Sequence, residues 1–147
     1  MNLKMKIKKL NDRAIIPAYG TKFAAGADLY SCEESEITIA PRETRFIHTG
    51  IALEIPDGYV GLIYARSGLS TKRGLAPANK VGVIDSDYRG EIMVALYNQS
   101  EAEQTLAIGE RVAQIVFTKY DTADFEVVDE IDSTERGDGG FGSTGRK

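Results

Sequence analysis

Two segments of the sequence combine residue types that bind phosphate or activate water, and the first spans residues 65–70. Its sequence, ARSGLS, places Arg66, Ser67 and Gly68 where a strand-like run gives way to a turn or a helix start. An arginine presents a planar fork to phosphate oxygens, a serine adds a hydroxyl and an N–H group, and a glycine lets a ligand approach the backbone. The segment therefore predicts anion binding, and the alternative is a capped helix with a surface arginine.

The second segment, VGVIDSDYRGEI at residues 81–92, places Asp85 and Asp87 at the end of a strand-like run. An ionised carboxylate within hydrogen-bond reach of a water molecule can accept its proton as a general base. Acid–base or metal chemistry is therefore one interpretation of the segment. The other is an ordinary polar hairpin, because turns favour aspartate.

Two further polar residues lie among small or apolar neighbours. Asp28, within AGADLYS at residues 25–31, could orient water on a hard cation such as Mg²⁺, although a turn into an edge strand would also explain it. Gln114 lies in the strand-like run GERVAQIVF at residues 109–117, on the same predicted face as Val112 and Val116. A buried amide needs partners, so Gln114 is either a satisfied core group or a ligand contact.

The last sixteen residues, DSTERGDGGFGSTGRK, contain five glycines and one aromatic residue, Phe141. Such a segment cannot build a strand face or a core of its own. It is either a disordered terminus or an arm that places one ring and several backbone N–H groups on a ligand.

The elements that must position these residues are predicted to be strands. Short runs rich in branched and aromatic residues occur at 5–10, 37–39, 45–54, 58–64, 91–98, 111–119 and 125–128, separated by turn signals. This spacing predicts an all-β sandwich or jelly roll. At most one short helix is expected, over residues 67–73 and capped by Ser67, with 24–27 as a weaker candidate.

Composition limits the functional classes. A net charge of −4 over 147 residues makes nucleic acid a poor partner. The sequence contains no run of about 18 apolar residues, so no membrane span is predicted. One cysteine, Cys32, cannot form an intrachain disulfide, and one histidine, His48, provides no zinc cluster and is interpreted as structural. A cytoplasmic protein is expected. The basic N-terminal stretch, with lysines at 4, 6, 8 and 9, indicates a lysine-guarded edge strand.

These signals resemble, in order, the five motifs of the trimeric dUTP pyrophosphatase family: AGADLYS, ARSGLS, VGVIDSDYRGEI, GERVAQIVF and RGDGGFGSTG. The resemblance implies a distorted β jelly roll over residues 1–131 and a C-terminal arm over residues 132–147. It also implies a homotrimer with active sites at subunit interfaces, each closed by an arm. The implied reaction is Mg²⁺-assisted hydrolysis of dUTP to dUMP and pyrophosphate, which limits uracil in DNA and supplies dUMP for thymidylate synthesis.

The resemblance also implies residue roles. Asp85 activates water, Tyr88 lies under the deoxyribose and excludes a 2′-hydroxyl, and a hairpin from Asn79 to Asp85 recognises uracil. The backbone groups involved belong to Gly82, Val83 and Ile84. The phosphates contact Arg66, Ser67 and Gly68, while Asp28 and Gln114 reach Mg²⁺ through water only. In the arm, Phe141 stacks on uracil, and the γ-phosphate is held by Arg136, Gly142, Ser143 and Thr144.

Two other functions remain open at this point. The related dCTP deaminase family shares the fold and an arginine–serine pair, but it usually has a second serine where this sequence has Gly68. It also uses a glutamate base, for which the predicted hairpin from Asn79 to Asp85 offers no candidate. A non-catalytic trimeric nucleotide sensor would bind nucleotide without turnover, and an intact Asp85, Tyr88 and arm argue against it.

Overall fold

The computed structural model describes residues 3–142, which form twelve short strands and one helix. The strands are β1 (Lys6–Lys9), β2 (Ala18–Tyr19), β3 (Ala27–Tyr30), β4 (Ile37–Ile39), β5 (Thr44–His48), β6 (Ile51–Glu54), β7 (Tyr59–Tyr64), β8 (Leu75–Pro77), β9 (Gly82–Ile84), β10 (Met93–Asn98), β11 (Gln104–Leu106) and β12 (Arg111–Lys119), and the helix is α1 (Ser67–Arg73). The predicted all-β class with one short helix is confirmed. Strands β2, β8 and β11, of two or three residues each, were not predicted as strands.

The largest sheet has the strand order β2-β3-β12-β7-β9 and is antiparallel throughout. A second sheet has the order β5-β10-β8, and β1-β6 and β4-β11 form two-stranded sheets. The predicted edge strand is confirmed, because β1 pairs with β6 and carries Lys6, whose Nζ lies 3.0 Å from Glu54 Oε1. In the centre of the large sheet, a β-bulge between Arg111 and Ala113 interrupts the simple alternation of faces predicted for β12.

The core lies between the sheets and consists of branched aliphatic side chains, which favour the pleated backbone of a strand. Burial of each such side chain contributes about 1.5–3 kcal/mol relative to an exposed one. The largest fully buried side chains belong to Leu29, Ile39, Ile47, Ile51, Ile55, Leu75, Ile92, Leu96, Leu106 and Ile115. The sheets are therefore held together by one continuous apolar layer, as expected for a jelly roll.

Helix α1 spans the predicted residues, Ser67–Arg73, but its N-cap lies one residue before the predicted serine cap. Arg66 is the N-cap, in an extended conformation, and no side chain caps the helix; Ser67 is the first helical residue. The predicted capping role of Ser67 is therefore wrong. The helix ends at Gly74, whose φ of 68° is readily adopted by glycine and whose N–H donates to Ser70 O at 3.1 Å. Among residues 3–142, no helix is long and apolar enough to cross a membrane.

The predicted strand over 45–54 is two strands, because the chain changes sheets at Thr49 and Gly50. Gly50 has a φ of 68°, and a β-carbon there would lie 2.9 Å from the Ala14 β-carbon. Only glycine fits both requirements. Strand β5 before this corner pairs with β10, whereas β6 after it pairs with β1.

The prediction of a strand over 125–128 is wrong. Residues 120–142 contain no strand, and the side chains of Phe125 and Val127 are 89% and 98% exposed. Apolar residues favour a strand only where a sheet edge is available for pairing. Within the described part of one chain, this segment has no such pairing. The weaker helix candidate at 24–27 is also wrong, since Ala27 begins β3.

The segment from Asn79 to Asp85 is not a hydrogen-bonded hairpin, contrary to the prediction. Strand β8 pairs with β10, and β9 pairs with β7 in the other sheet. The turn between them includes Lys80, with a φ of 66°, whose N–H donates to Pro77 O at 3.0 Å. Since the chain passes from one sheet to the other, β9 lies at the end of the five-stranded order, with one edge open.

Candidate active site

Arg66 lies just beyond the end of β7, beside the only carboxylate of β3. Its Nε donates to Asp28 Oδ1 at 2.9 Å, and a second guanidinium reaches the same carboxylate, with Arg111 Nη1 3.3 Å from Asp28 Oδ2. The Asp28 side chain is only 13% exposed, so the two arginines balance a largely buried charge. No hydrogen bond formed among residues 3–142 uses the terminal nitrogens of Arg66, so they are available to other acceptors.

Gln114 joins this cluster from β12, where it lies opposite both Asp28 and Tyr64. Its Nε2 donates to Ala65 O at 2.9 Å, immediately before Arg66. The side chain fits because residue 26 is glycine: a β-carbon there would lie 2.3 Å from Gln114 Oε1. The structure therefore brings together Asp28, Arg66 and Gln114. Arg111 and Gly26 were missed as parts of this cluster, and their positions beside Asp28 become apparent only from the strand pairing.

Replacing Gly26 with alanine should displace the Gln114 amide and remove its hydrogen bond to Ala65. We expect a loss of about 1 kcal/mol in the free energy of unfolding, the usual contribution of one hydrogen bond. Chemical denaturation of the variant and the wild type measures this difference. Gly20→Ala is the matched control, because a β-carbon at residue 20 meets no atom within 4 Å. Equal losses in both variants would contradict the packing role of Gly26.

Ser67 and Gly68 start helix α1 on the exposed side of Arg66. The first N–H groups of a helix have no partner within it, and the Ser67 hydroxyl lies on the same turn. A β-carbon at Gly68 would meet no atom within 4 Å, so the packing of this chain does not require glycine there. The space around Gly68 is therefore open to a ligand or to another chain.

The open edge of β9 is formed by Gly82, Val83 and Ile84. These residues pair with Ile63, Leu62 and Gly61 of β7 on one side. Val83 is exposed, and a small cavity of about 130 Å³ lies beside the strand. The cavity is lined by Phe46, Ile63, Pro77, Asn79, Gly82, Val83, Ile84, Met93, Val94 and Ala95. An unpaired strand edge beside a cavity offers backbone donors and acceptors to a flat polar ring.

Asp85 and Tyr88 follow β9 directly in an exposed turn, in which Tyr88 N–H donates to Asp85 O at 3.2 Å. None of the hydrogen bonds formed among residues 3–142 uses the Asp85 carboxylate, so it is available to a water molecule or a ligand. The Tyr88 ring is 42% exposed, and its hydroxyl donates to Glu91 O at 2.9 Å.

Asp85 and Arg66 lie at opposite ends of β7. Ile84, just before Asp85, is opposite Gly61 near the start of β7, whereas Arg66 lies two residues beyond its end at Tyr64. At about 3.3 Å per residue, this separates them by roughly 15–20 Å along the strand. The two side chains are therefore too far apart to contact neighbouring atoms of one phosphate group within a single chain.

The described part of the glycine-rich arm makes no hydrogen bond to the side chains of Asp85 or Arg66. Arg136 Nε donates to Gly139 O at 2.8 Å, and Gly137 N–H donates to Thr134 O at 3.1 Å, so its hydrogen bonds are local. Phe141 is fully exposed and has a φ of 50°, which few side chains adopt without a stabilising partner. Gly142 is also exposed, and Ser143 and Thr144 lie outside the described residues.

The side chains that could act as metal ligands indicate how a metal ion could be bound at this site. Among residues 3–142, no group of three or more His, Cys, Asp or Glu side chains is arranged to bind a metal ion. Asp28 already balances Arg66 and Arg111, but each carboxylate oxygen has a further lone pair, and Gln114 Oε1 is not used by its bond to Ala65. These residues fit a cation that keeps its water shell and binds mainly to ligand phosphates, as Mg²⁺ does.

Comparison with known proteins shows which family the chain resembles. The dUTPase family model matches residues 12–145. The deoxyuridine 5'-triphosphate nucleotidohydrolase of Shewanella oneidensis is 45% identical over all of this chain and 97% of its own length. The protein of the same name from Burkholderia cenocepacia is 45% identical over 99% of both chains.

Solved structures of dUTPases also resemble this chain over most of its length. The Staphylococcus bacteriophage 80alpha dUTPase with dUpNHpp superposes with a TM-score of 0.91 at 30% identity, over 98% of this chain and 99% of its own. A variant of the dUTPase from S. aureus phage phi11, in which a structural Mg(II) ion is coordinated, gives a TM-score of 0.77 at 27% identity, over 87% and 98% of the two chains. With a family model over nearly its whole length and relatives at 45% identity, this chain belongs to the dUTPase family.

Proposed function

We propose that this protein hydrolyses dUTP to dUMP and pyrophosphate. The observation that carries the proposal is the exposed Asp85 carboxylate, directly after the open edge of β9 and in one turn with Tyr88. A base, a backbone edge that can recognise a pyrimidine, and an aromatic ring for a sugar are thus adjacent. Family membership supplies the reaction, since the relatives are named for dUTP hydrolysis.

In the chemical step, Asp85 accepts a proton from water as the water oxygen attacks the α-phosphorus. The bond from the α-phosphorus to the oxygen bridging to the β-phosphate breaks, and pyrophosphate leaves. The protein contributes mainly position and charge, as is usual in phosphoryl transfer. The product dUMP would then serve thymidylate synthesis, and removal of dUTP would limit uracil in DNA.

Uracil recognition is assigned to the segment from Asn79 to Asp85. Within Gly82, Val83 and Ile84, the backbone N–H and C=O groups that are not bonded to β7 present a fixed order of donors and acceptors at the open edge of β9. Uracil matches such an order, whereas the amino group of cytosine would face a donor, and a thymine methyl would need extra space. The cavity beside the strand, at about 130 Å³, suits a single six-membered ring.

The phosphates are assigned to Arg66, Ser67 and Gly68, where the terminal guanidinium nitrogens and the open space around Gly68 are available. Asp28 and Gln114 would hold waters of a phosphate-bound Mg²⁺. When bound, Mg²⁺ supplies charge neutralisation on the phosphate oxygens. Asp28 has a second task here, because it fixes the Arg66 guanidinium through Nε.

The separation of Asp85 from Arg66 supports a homotrimer with active sites between subunits. One chain places them roughly 15–20 Å apart along β7, so a complete site needs Asp85 of one subunit and Arg66 of another. We assign residues 1–131 to the β domain and residues 132–147 to the arm. Arg136, Phe141, Gly142, Ser143 and Thr144 would close over a site, with Phe141 stacked on uracil.

The reaction is tested with dUTP, dCTP, dTTP and UTP supplied separately with Mg²⁺. Pyrophosphate and dUMP should appear from dUTP, with at least a hundredfold lower kcat/KM for the other three nucleotides. Deamination of dCTP would instead place the chain with the deaminases. Binding of dUTP without pyrophosphate release would favour a nucleotide sensor.

The interfacial site is tested by mixing two inactive variants. Asp85→Asn and Arg66→Ala subunits, unfolded together in equal amounts and refolded, should recover about a quarter of the wild-type sites, since half of the subunits provide each intact residue. The control combines both substitutions in one chain and mixes it in equal amounts with wild type. About a quarter of the sites should stay active if each site is shared between subunits, against about half if each subunit holds a complete site. No recovery in the mixture of single variants would contradict a site shared between subunits.

A further inference from the structure

The orientation of Tyr88 depends on the two residues that follow Arg89. Its hydroxyl donates to the backbone oxygen of Glu91 at 2.9 Å. Its ring lies so close to Gly90 that a β-carbon there would be 2.4 Å from the hydroxyl oxygen and 2.6 Å from Cζ. The position of the Tyr88 ring is therefore set by the position of the backbone at residues 90 and 91.

The side chain of Glu91 ties this backbone to the corner between β5 and β6. Oε1 accepts the N–H of Gly50 at 2.8 Å, and Oε2 lies 2.8 Å from Nδ1 of His48. The hydrogen bond that the His48 ring donates to the Glu91 carboxylate raises the pKa of His48 despite partial burial, which favours a charged imidazolium beside the carboxylate. The next residue, Ile92, donates its N–H to Ile51 O at 2.9 Å. Three contacts thus hold the start of β10 to this corner.

The corner itself cannot shift easily. A β-carbon at Gly50 would lie 2.9 Å from Asn11 Nδ2 and 3.0 Å from Cys32 Sγ, so the backbone is packed against these groups. The backbone of His48 is bonded on both sides, since its N–H donates to Glu33 Oε1 at 2.9 Å and its oxygen accepts the N–H of Cys32 at 2.8 Å. Glu91 is therefore attached to a rigid support.

We propose that Glu91 is a positioning residue that determines sugar specificity, because it holds the backbone oxygen to which the Tyr88 hydroxyl is bonded. The inference rests on the proposed function, in which Tyr88 contacts the deoxyribose. A ring excludes a 2′-hydroxyl only if it cannot move aside, so the selectivity depends on the support behind the ring. The bridge from Glu91 to Gly50 and His48 provides that support.

Replacing Glu91 with alanine should lower the ratio of kcat/KM for dUTP to that for UTP by about tenfold or more. Glu91→Gln keeps an acceptor for the Gly50 N–H and should retain most of the ratio. The matched control is Glu43→Ala at the other end of β5. Glu43 also accepts a backbone N–H, from Ala40 at 2.7 Å, but it has no contact with the Tyr88 turn. The dUTP-to-UTP ratio of kcat/KM for Glu43→Ala should equal that of the wild type.

A double-mutant cycle tests whether Glu91 acts through Tyr88. Tyr88→Ala should itself lower the dUTP-to-UTP ratio, and adding Glu91→Ala should change it no further. A loss of selectivity from Glu91→Ala that is equally large without the Tyr88 ring would overturn the inference. So would an unchanged ratio in a folded Glu91→Ala protein that differs only in melting temperature.

The two proposals fail in distinguishable ways. If the wild type does not hydrolyse dUTP, the proposed function is wrong. If it hydrolyses dUTP and rejects UTP, but the Glu91 variants do so equally well, only the positioning role is wrong. Should Glu91→Ala not fold, as judged by circular dichroism and gel filtration, Glu91→Asp serves instead. Its carboxylate is one methylene shorter, and an unchanged ratio in that folded variant overturns the inference.

Discussion

Replacing Asp85 with asparagine is expected to lower kcat for dUTP by about 10²–10⁴-fold, the usual contribution of a general base. An amide has nearly the shape of the carboxylate but cannot accept the proton of the attacking water. The carboxylate makes no hydrogen bond within the described part of its own chain, so its loss should leave the fold unchanged. Affinity for a non-hydrolysable dUTP analogue should therefore stay within a few-fold of the wild type.

Asp87 provides a matched control for this experiment. It lies two residues away in the same exposed turn, so Asp87→Asn removes the same charge from the same region. Steady-state kinetics should show nearly normal kcat for Asp87→Asn, and calorimetry should show analogue binding for both variants. Comparable turnover by Asp85→Asn and the wild type would refute the assignment of the base, whereas equal losses in both variants would indicate a general effect of charge.

The polar residues of the candidate site were predicted from the sequence, but the residues that pack around them and hold them in place were not. Arg66, Asp28 and Gln114 were singled out individually, and the pairing of β12 with both β3 and β7 places them side by side. The contributions of Gly26 and Arg111 could not be predicted, because they depend on that register and on a bulge in β12. A one-residue change of register would turn each of these side chains to the other face.

The predicted runs that pair within the chain form strands, whereas the run without such pairing does not. The run at 111–119 is a strand because it is flanked by β3 and β7. The run at 125–128 has similar residue types but no pairing in the described chain, and its side chains are exposed. Local preference cannot distinguish these cases, since pairing is a property of the tertiary structure. His48 was correctly interpreted as structural, but its partner Glu91 is 43 residues away in sequence.

Removal of residues 136–147 is expected to leave the fold and the subunit assembly intact, with kcat/KM for dUTP reduced by about a hundredfold or more. The described residues of this segment make local hydrogen bonds and leave Phe141 exposed, so the β core loses no packing. The reduction follows from the proposed closure, in which the arm excludes water and adds Arg136 to the γ-phosphate. Gel filtration and thermal unfolding measure the fold and assembly, and steady-state kinetics measures the loss.

A point variant separates the ring from the rest of the arm. Phe141→Ala keeps Arg136 and every glycine, so it should cost less than the truncation and should mainly raise KM through lost stacking on uracil. Full activity after truncation would refute the closure.

If the arm acts on a neighbouring subunit, truncated chains refolded with Asp85→Asn chains should regain activity, because the second variant supplies intact arms and the first supplies Asp85. In the proposed site, the general base Asp85, the phosphate-binding residues and the arm come from separate chains. This also explains why Phe141 has no partner in the described part of one chain.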